Sequence, residues 1–301
     1  MELRILGCFS STPKLNALPT AQLLEIRNHL FLIDCGEGTQ MQLRKYKIKF
    51  TRIKHIFISH LHGDHYYGLP GLINTFSLLG READLHVYGP KGIKEIITLQ
   101  MKLAKSWTTY NLFFHELNQS TSQLVYQNDA LSVQTIPLDH RVYTNGYLFK
   151  ESKSERKLNP KKAKEHQIDV AYFNKLKQGA DVKNEHGQLI KNQWVTTNGP
   201  PAKSYAFCSD TAFKEDIIPI IKNVDTLYHE STFLEKHKHL TQKTKHSTAA
   251  EAAQIAAKAQ VRNLILGHFS TRYDDLNAFT KEALQYFKHV ELAEDGKLFK
   301  I

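Results

Sequence analysis

His60-Leu61-His62-Gly63-Asp64-His65 is the stretch on which the fold turns. It follows directly on Ile53 to Ile58, an apolar run closed by a polar cluster, as a buried strand should be. In a helix His60 and His62 would stand about 200° apart. In an extended chain His60, His62 and Asp64 share a side and His65 faces away. Neither regular form gathers all four, whereas a loop wrapped around two neighbouring ions does. His60 and His62 would then serve one ion, Asp64 and His65 the other. Gly63 would supply the backbone freedom such a loop needs. Imidazole with carboxylate suits Zn²⁺, and Mn²⁺ or Fe²⁺ are compatible with the same donors.

Two ions need more than four donors, and other strand ends supply them. Leu131 to Ile136 leads to His140, Ser204 to Cys208 leads to Asp210, and Val261 to Leu266 leads to Gly267-His268. Each of these alone is as easily an ordinary polar residue. With the central motif they make a set of five histidines and two aspartates, placed where open α/β sheets hold their ligands. A carboxylate has two oxygens, so Asp210 is the natural bridge.

Strands and helices alternate on both sides of the motif. Leu3 to Leu6, Leu23 to Ile26, His29 to Ile33 and Leu85 to Tyr88 are expected strands. Thr39 to Tyr46, Leu69 to Leu79 and Gly92 to Leu103 are expected helices. Thr226 to Tyr228 is a strand ending at His229-Glu230-Ser231-Thr232, and Thr248 to Ala259 is a helix opened by the capping box Thr248-x-x-Glu251. From about 150 to 200 the character changes. Between Lys150 and Lys164 stand seven basic residues against Glu151 and Glu155. Asn159-Pro160 starts a helix there and Gly179 stops it, and Asn184 to Gly187 is a turn between two short strand-like runs. This segment has the look of an arm inserted into the main domain.

The 301 residues are ample for a hydrophobic core, and the composition, 41% hydrophobic and 23% charged, is that of a globular chain. No run of 18 apolar residues exists to cross a membrane, and Met1 to Gly7 has no signal-peptide pattern. Cys8, Cys35 and Cys208 are too few and scattered for a disulfide framework and fit a reducing, cytoplasmic setting. The net charge of +10 points to an anionic partner, and nucleic acid is the foremost class. Among the 16 histidines, His29, His55, His86, His115 and His289 are taken as structural, and His237 and His239 as members of a mobile basic loop.

The set His60-x-His62-x-Asp64-His65, His140, Asp210 and His268 resembles the metallo-β-lactamase fold superfamily. Further blocks narrow the likeness. Asp34-Cys-Gly-Glu-Gly-Thr-Gln40, Gly68-Leu-Pro-Gly-Leu72, His246-Ser-Thr248 and Ser270-Thr-Arg-Tyr273 resemble the ribonuclease Z family of tRNA 3′-processing endonucleases. The likeness covers nearly the whole chain. It implies an α/β four-layer αβ/βα sandwich, two zinc ions per subunit, a homodimer and precursor tRNA as substrate. It implies a catalytic domain of residues 1–150 and 200–301 and a flexible tRNA-gripping arm of residues 151–199. Two stretches depart from the family pattern: Asp169-Val-Ala-Tyr-Phe173 replaces its Gly-Pro stretch, and Ser209 stands before Asp210 where glycine is usual.

The resemblance further implies roles in phosphodiester hydrolysis. Asp64 would orient the attacking water and take its proton. His246 would protonate the leaving oxygen, held by Glu230. Asp34 would support the metal loop. Arg272 would meet a substrate phosphate, or else a structural carboxylate. Lys161, Lys162 and Lys177 of the arm would meet the RNA backbone, and Tyr66, Tyr67 and Tyr273 are either core residues, as such tyrosines more often are, or platforms for base stacking. Two other classes compete. A small-molecule hydrolase or other phosphodiesterase of the same superfamily has no use for a basic arm, and an RNA-binding module without catalysis has no use for seven converging donors.

Overall fold

The computed structural model describes all 301 residues. The chain divides into two compact units, Met1–Lys150 with Lys203–Ile301, and Glu151–Ala202. The larger holds two seven-stranded sheets. Strands β1 (Glu2–Gly7), β2 (Ala21–Ile26), β3 (His29–Ile33), β4 (Ile53–Phe57), β5 (Leu85–Pro90) and β6 (Leu112–Leu117) belong to the first sheet. The second sheet begins with β7 (Leu124–Gln127), β8 (Leu131–Pro137) and β9 (Asn145–Glu151). The smaller unit contributes β10 (Lys157–Leu158), β11 (Val182–Lys183), β12 (Leu189–Ile190) and β13 (Thr196–Thr197). Then β14 (Ser204–Cys208), β15 (Thr226–Glu230), β16 (Asn263–Gly267) and β17 (Val290–Leu292) complete the second sheet, and β18 (Leu298–Lys300) returns to the first beside β1.

The spatial orders are β18-β1-β2-β3-β4-β5-β6 and β17-β16-β15-β14-β9-β8-β7. Strands β3 to β6 run parallel, as do β14 to β17. Parallel strands are buried on both faces, and side-chain alternation sorts their residues. Phe31, Ile33 and Phe57 turn into the core shared by the two sheets. Leu30, Leu32 and Ile56 turn outward onto helices Thr39–Lys45, Gly68–Leu78 and Ile93–Leu103 through Leu43, Leu72 and Ile97. On the far side, Ala249–Lys258 and Asn277–Ala283 cover the second sheet, so the layers are helix, sheet, sheet, helix. Thr248 opens the first of these with the expected capping box.

Phe31 is the hinge pin of the inter-sheet core. It is fully buried and its ring lies 6.1 Å from Phe57 in its own sheet and 5.9 and 5.6 Å from Tyr126 and Phe149 in the other. Phe31→Ala removes contacts to both sheets, and we expect a loss of about 3–5 kcal/mol of unfolding free energy by denaturant titration. The three cysteines are buried and unpaired, and burial pushes the Cys35 thiol up to about 12.

Several expectations need correction. Residues 160–179 do not form one helix. Asn159 caps Pro160–Glu165 as expected, but Gln167 then adopts φ 53° and the chain turns. Ile168 N–H donates to Ala163 O and Gln167 N–H to Lys164 O, the paired bonds that end helices at a left-handed residue. Asp169 starts a new turn, and Gly179 stops only the second helix, Phe173–Lys177. This smaller unit has its own core of Ala163, Ile168, Leu176, Val182, Ile190 and Val195. Buried Asn192 stitches it by donating to Leu176 O and Ala180 O. His237 and His239 lie in the helical turn Glu235–Leu240 rather than in a loop, and the His237 ring meets the Tyr273 hydroxyl at 2.6 Å. Strands β6, β7, β9, β17 and β18 went unread. Their mixed polarity follows no period, because most pair at or near a sheet edge.

Candidate metal centre

The motif is half extended and half helical. His60 to His62 continue past β4 without regular structure, and Gly63–Tyr66 forms one helical turn. The turn swings Asp64 and His65 onto the side where His60 and His62 already point, which neither regular form alone achieves. Gly63 serves a different purpose from the one expected: its φ is ordinary, and a Cβ there would stand 2.2 Å from the Tyr67 ring. Gly36 is small for a like reason, since a Cβ would meet Asp64 O at 2.5 Å.

All seven expected donors converge. One group is His60, His62, His140 and Asp210, and the other is Asp64, His65, Asp210 and His268, each with its donor atoms within 4.8 Å of one another. Asp210 belongs to both. Around the first group, His62 Nδ1 stands 2.9 Å from His60 Nε2 and 3.2 Å from His140 Nε2. Asp210 Oδ2 is 3.6 and 3.8 Å from His60 Nε2 and His140 Nε2. Around the second, Asp64 Oδ2 lies 3.4 Å from both His65 Nε2 and His268 Nε2. Asp210 Oδ1 lies 3.3 and 3.1 Å from the same two nitrogens. Ligands about 2.0–2.1 Å from one tetrahedral ion stand about 3.3–3.4 Å apart, so these edges suit a transition-metal shell.

The surrounding hydrogen bonds choose which nitrogen each ring presents. Asp34 Oδ1 accepts from Ser59 N–H at 2.7 Å, and its Oδ2 accepts from the Ser59 hydroxyl at 2.9 Å and from His65 Nδ1 at 2.6 Å. With its proton spent on Asp34, the Ser59 hydroxyl accepts from His60 Nδ1 at 3.0 Å. The carbonyl of Lys245 accepts from His140 Nδ1 at 2.9 Å. Thr232 donates its hydroxyl to Glu230 Oε2 at 2.7 Å and accepts from His268 Nδ1 at 2.9 Å. His60, His65, His140 and His268 therefore all turn an Nε2 lone pair inward. His65 Nε2 is fully buried and has no hydrogen-bond partner, the mark of a group awaiting a cation. The donor set fits a divalent metal.

Electrostatics agree. Burial, then His65, holds His60 well below the usual imidazole range, and burial likewise lowers His62 and His140, keeping them neutral as ligation requires. Burial works to raise Asp210, but the imidazoles of His268 and His65 override it and hold the carboxyl well below its usual range. Burial also opposes charge on His65, yet the carboxylates of Asp210, Asp64 and Asp34 raise it well above the ordinary value. That proton stands where a cation would be welcome. Asp34, Asp210 and His268, each just past a strand end, adopt φ of 56°, 59° and 58°. Such left-handed residues cost on the order of 1–3 kcal/mol each and persist where the surroundings over-determine them.

Beside this centre Glu230 is completely buried. Its Oε1 accepts from Thr211 N–H at 3.0 Å and from His246 Nδ1 at 2.7 Å, and its Oε2 from Thr232 N–H at 2.9 Å. Burial disfavours the charge on both partners, but each stabilises the other: Glu230 is lowered and His246 is raised to about 9. The His246 ring lies 5.1 Å from His140 and 5.4 Å from His268.

Other expectations fare differently. Arg272 meets no carboxylate; its Nε donates to the Ser270 hydroxyl at 3.1 Å and its guanidinium lies over Phe233. Tyr66 and Tyr273 are buried, and the Tyr273 hydroxyl accepts from Leu234 N–H at 3.0 Å and meets His237 Nδ1, so neither ring is free to stack on a base. Tyr67 is 59% exposed and lines a cavity of about 400 Å³ with Phe9, Pro13 and Asp64. In the smaller unit Lys161 and Lys162 are exposed and Lys177 is half-buried. Ser59, Thr232 and Lys245 escaped the sequence reading. A hydroxyl next to His60, or two residues after Glu230, was a findable signal, whereas a role carried by the Lys245 carbonyl leaves none.

This sandwich and its twin donor clusters define a metallo-β-lactamase fold. A Bacillus subtilis protein of that fold, YhfI, superposes with a TM-score of 0.69 at 18% identity over 99% of this chain and 98% of its own. The short form of human tRNase Z superposes with a TM-score of 0.73 at 25% identity over 100% of this chain and 99% of its own. A ribonuclease Z from Bacteroides thetaiotaomicron is 43% identical over 300 residues, which is 100% of this chain and 95% of the relative. Residues 1–154 match the family model described as anti-Pycsar protein Apyc1. Over its N-terminal half the chain falls within the family of that model, and over its whole length it belongs to the ribonuclease Z family. It is a hydrolase of the endoribonuclease class.

Proposed function

We propose that this chain is a zinc-dependent endoribonuclease that removes 3′ trailers from precursor tRNA, leaving a 3′-hydroxyl on the tRNA and a 5′-phosphate on the trailer. The observation that carries this reading is the pair of four-donor groups sharing Asp210. Two zinc ions per subunit match the imidazole and carboxylate donors, with Mn²⁺ or Fe²⁺ as substitutes. Bound there, they would supply a water of lowered pKa and Lewis-acid stabilisation of the phosphoryl oxygens.

The chain's own residues do the rest. Asp64, with only 9% of its side chain exposed, orients the attacking water and takes its proton. His246 keeps its Nδ1 proton on Glu230 and offers the other nitrogen to the departing 3′ oxygen. Glu230 holds that imidazole charged and in place. Tyr67, at the mouth of the cavity beside Asp64, offers its face to a base flanking the cut, and Arg272 offers a charge to an RNA phosphate.

The segment 151–199 serves as the tRNA-gripping arm. Residues 151–202 hold nine lysines and Arg156 against six acidic residues, and Lys161, Lys162 and Lys177 are among its cations. Such a charge suits an RNA backbone, with affinity falling as salt rises. The enzyme works as a homodimer in the cytoplasm, where three unpaired cysteines stay reduced. No helix is long and apolar enough to cross a membrane.

The deciding experiment incubates the purified protein with a precursor tRNA carrying a 3′ trailer and maps the ends. We expect about two zinc per chain and one cut just after the discriminator base; metal-loaded protein that leaves the precursor intact overturns the reading. Deleting residues 152–198 should weaken tRNA binding about 100-fold and flatten its salt dependence, while a small phosphodiester is still hydrolysed. Unchanged tRNA affinity would remove the arm from the account.

A further inference from the structure

Each donor cluster has a cavity beside it, and the two differ in chemistry. The cavity at Asp64 is walled by Phe9, Pro13 and Tyr67, and its one lysine, Lys14, is tied to Asp274 at 3.0 Å. The other, of about 360 Å³, adjoins His140 and is lined by Gln119, Arg141, Tyr143, Asn145 and Lys214. Its size falls in the range of roughly 300–1,000 Å³ typical of small-molecule sites. Lys245 nearby is spent on Asp139 at 3.0 Å, whereas neither Arg141 nor Lys214 has a carboxylate partner. Asn145 is 1% exposed, and its backbone N–H donates to Ser59 O, which ties it to the segment carrying His60. Its Nδ2 donates to the Tyr143 hydroxyl at 2.8 Å, which donates in turn to Gln119 O at 2.9 Å. Asn145 Oδ1 is left with no donor at all. Native structures rarely bury an unpaired acceptor without a use for it.

We propose that this cavity binds the nucleotide next to the scissile phosphate, with Arg141 and Lys214 holding its phosphate and Asn145 Oδ1 accepting from a ribose hydroxyl or an exocyclic amine. The proposal rests on the endoribonuclease reading and assigns one part of that substrate to one wall of the site. The cluster neutralises the scissile phosphate only, so the next phosphate along the strand needs cations of its own. Arg141 and Lys214 are the unpaired cations at the cavity beside His140. The aromatic walls at Asp64 suit a base instead. The phosphate held here belongs either to the trailer or to the tRNA, and the same chemistry serves both.

The test crosses Lys214→Gln with precursor tRNAs in which a methylphosphonate neutralises one phosphate, either the next one in the trailer or the one preceding the discriminator nucleotide. For the full-length, metal-loaded enzyme, Lys214→Gln should raise KM about 10-fold with kcat nearly unchanged. Neutralising the phosphate that sits in the cavity should cost the wild type the same, and the two changes together should cost no more than either alone. Neutralising the other phosphate should multiply with Lys214→Gln. The position that fails to multiply names the source of the phosphate. Lys214→Arg should restore KM, and retained metal content and melting temperature show that the variants are folded. Costs that multiply at both positions, or a KM that Lys214→Gln leaves alone, overturn the subsite while the endoribonuclease reading stands. A wild type that does not cut the unmodified precursor overturns both.

Discussion

Asp64→Ala lowers precursor cutting by about 10⁴-fold or more and leaves tRNA affinity largely intact. The expectation follows from where Asp64 stands. Its Oδ2 lies 3.4 Å from both His65 Nε2 and His268 Nε2, so it completes the second donor group. Apart from Asp210, which is shared with the first group, it is that group's one carboxylate. Burial works to raise its pKa, but His65 overrides burial and keeps it a ready anion. Alanine removes a donor and the proposed proton acceptor in one step, and the helical turn Gly63–Tyr66 holds no second acid. Metal content should fall by about one ion per chain on the proposed two-ion reading. tRNA affinity should hold, because the cations proposed to meet RNA lie elsewhere in the chain. Cutting that persists within 100-fold of wild type would remove Asp64 from the chemistry.

His246→Ala should cost about 10²–10⁴-fold in turnover, the range of a lost general acid. The pH profile discriminates further. An imidazole acid works while protonated, so the rate falls as pH rises through its pKa. Glu230 lifts that value to about 9 against the pull of burial. A divalent cation held by His140 or His268 would repel the imidazolium and bring the inflection below that figure. Glu230→Gln removes the anion that favours the charged ring, so the alkaline limb moves to lower pH still. An alkaline limb in the same place in wild type and Glu230→Gln would show that His246 is not the proton donor.

The metal donors are legible in the sequence, and the groups that support them are not. His60, His62, Asp64 and His65 announce themselves because four ligand types crowd into six residues after an apolar strand. Asp210 and His268 follow from the rule that parallel strands deliver ligands at their carboxyl ends, and His140 stands likewise just past the end of β8, although β8 pairs antiparallel with β7. Thr248 and Asn159 cap their helices as expected, because capping depends on three or four consecutive residues. Gly63 was misjudged because its constraint is the Tyr67 ring, a contact that no local rule contains. Tyr66 and Tyr273, open in the sequence between core and stacking roles, turn out to be core, because exposure is a property of what packs against a side chain. The arm's single helix was misjudged because Gln167 takes a left-handed turn that glycine or asparagine more often marks.

Residue types and short-range spacing alone established the donor chemistry, the alternation of strands and helices, the basic inserted segment and the family likeness. Only the tertiary structure decided which nitrogen each histidine presents, that Thr232 links Glu230 to His268, and that Arg141 and Lys214 flank a cavity beside His140. The reason is physical. Chemistry and local conformation are written in neighbouring residues, whereas tautomer choice and cavity walls arise from groups as far apart in the chain as Asp64 and His268, held together by two packed sheets.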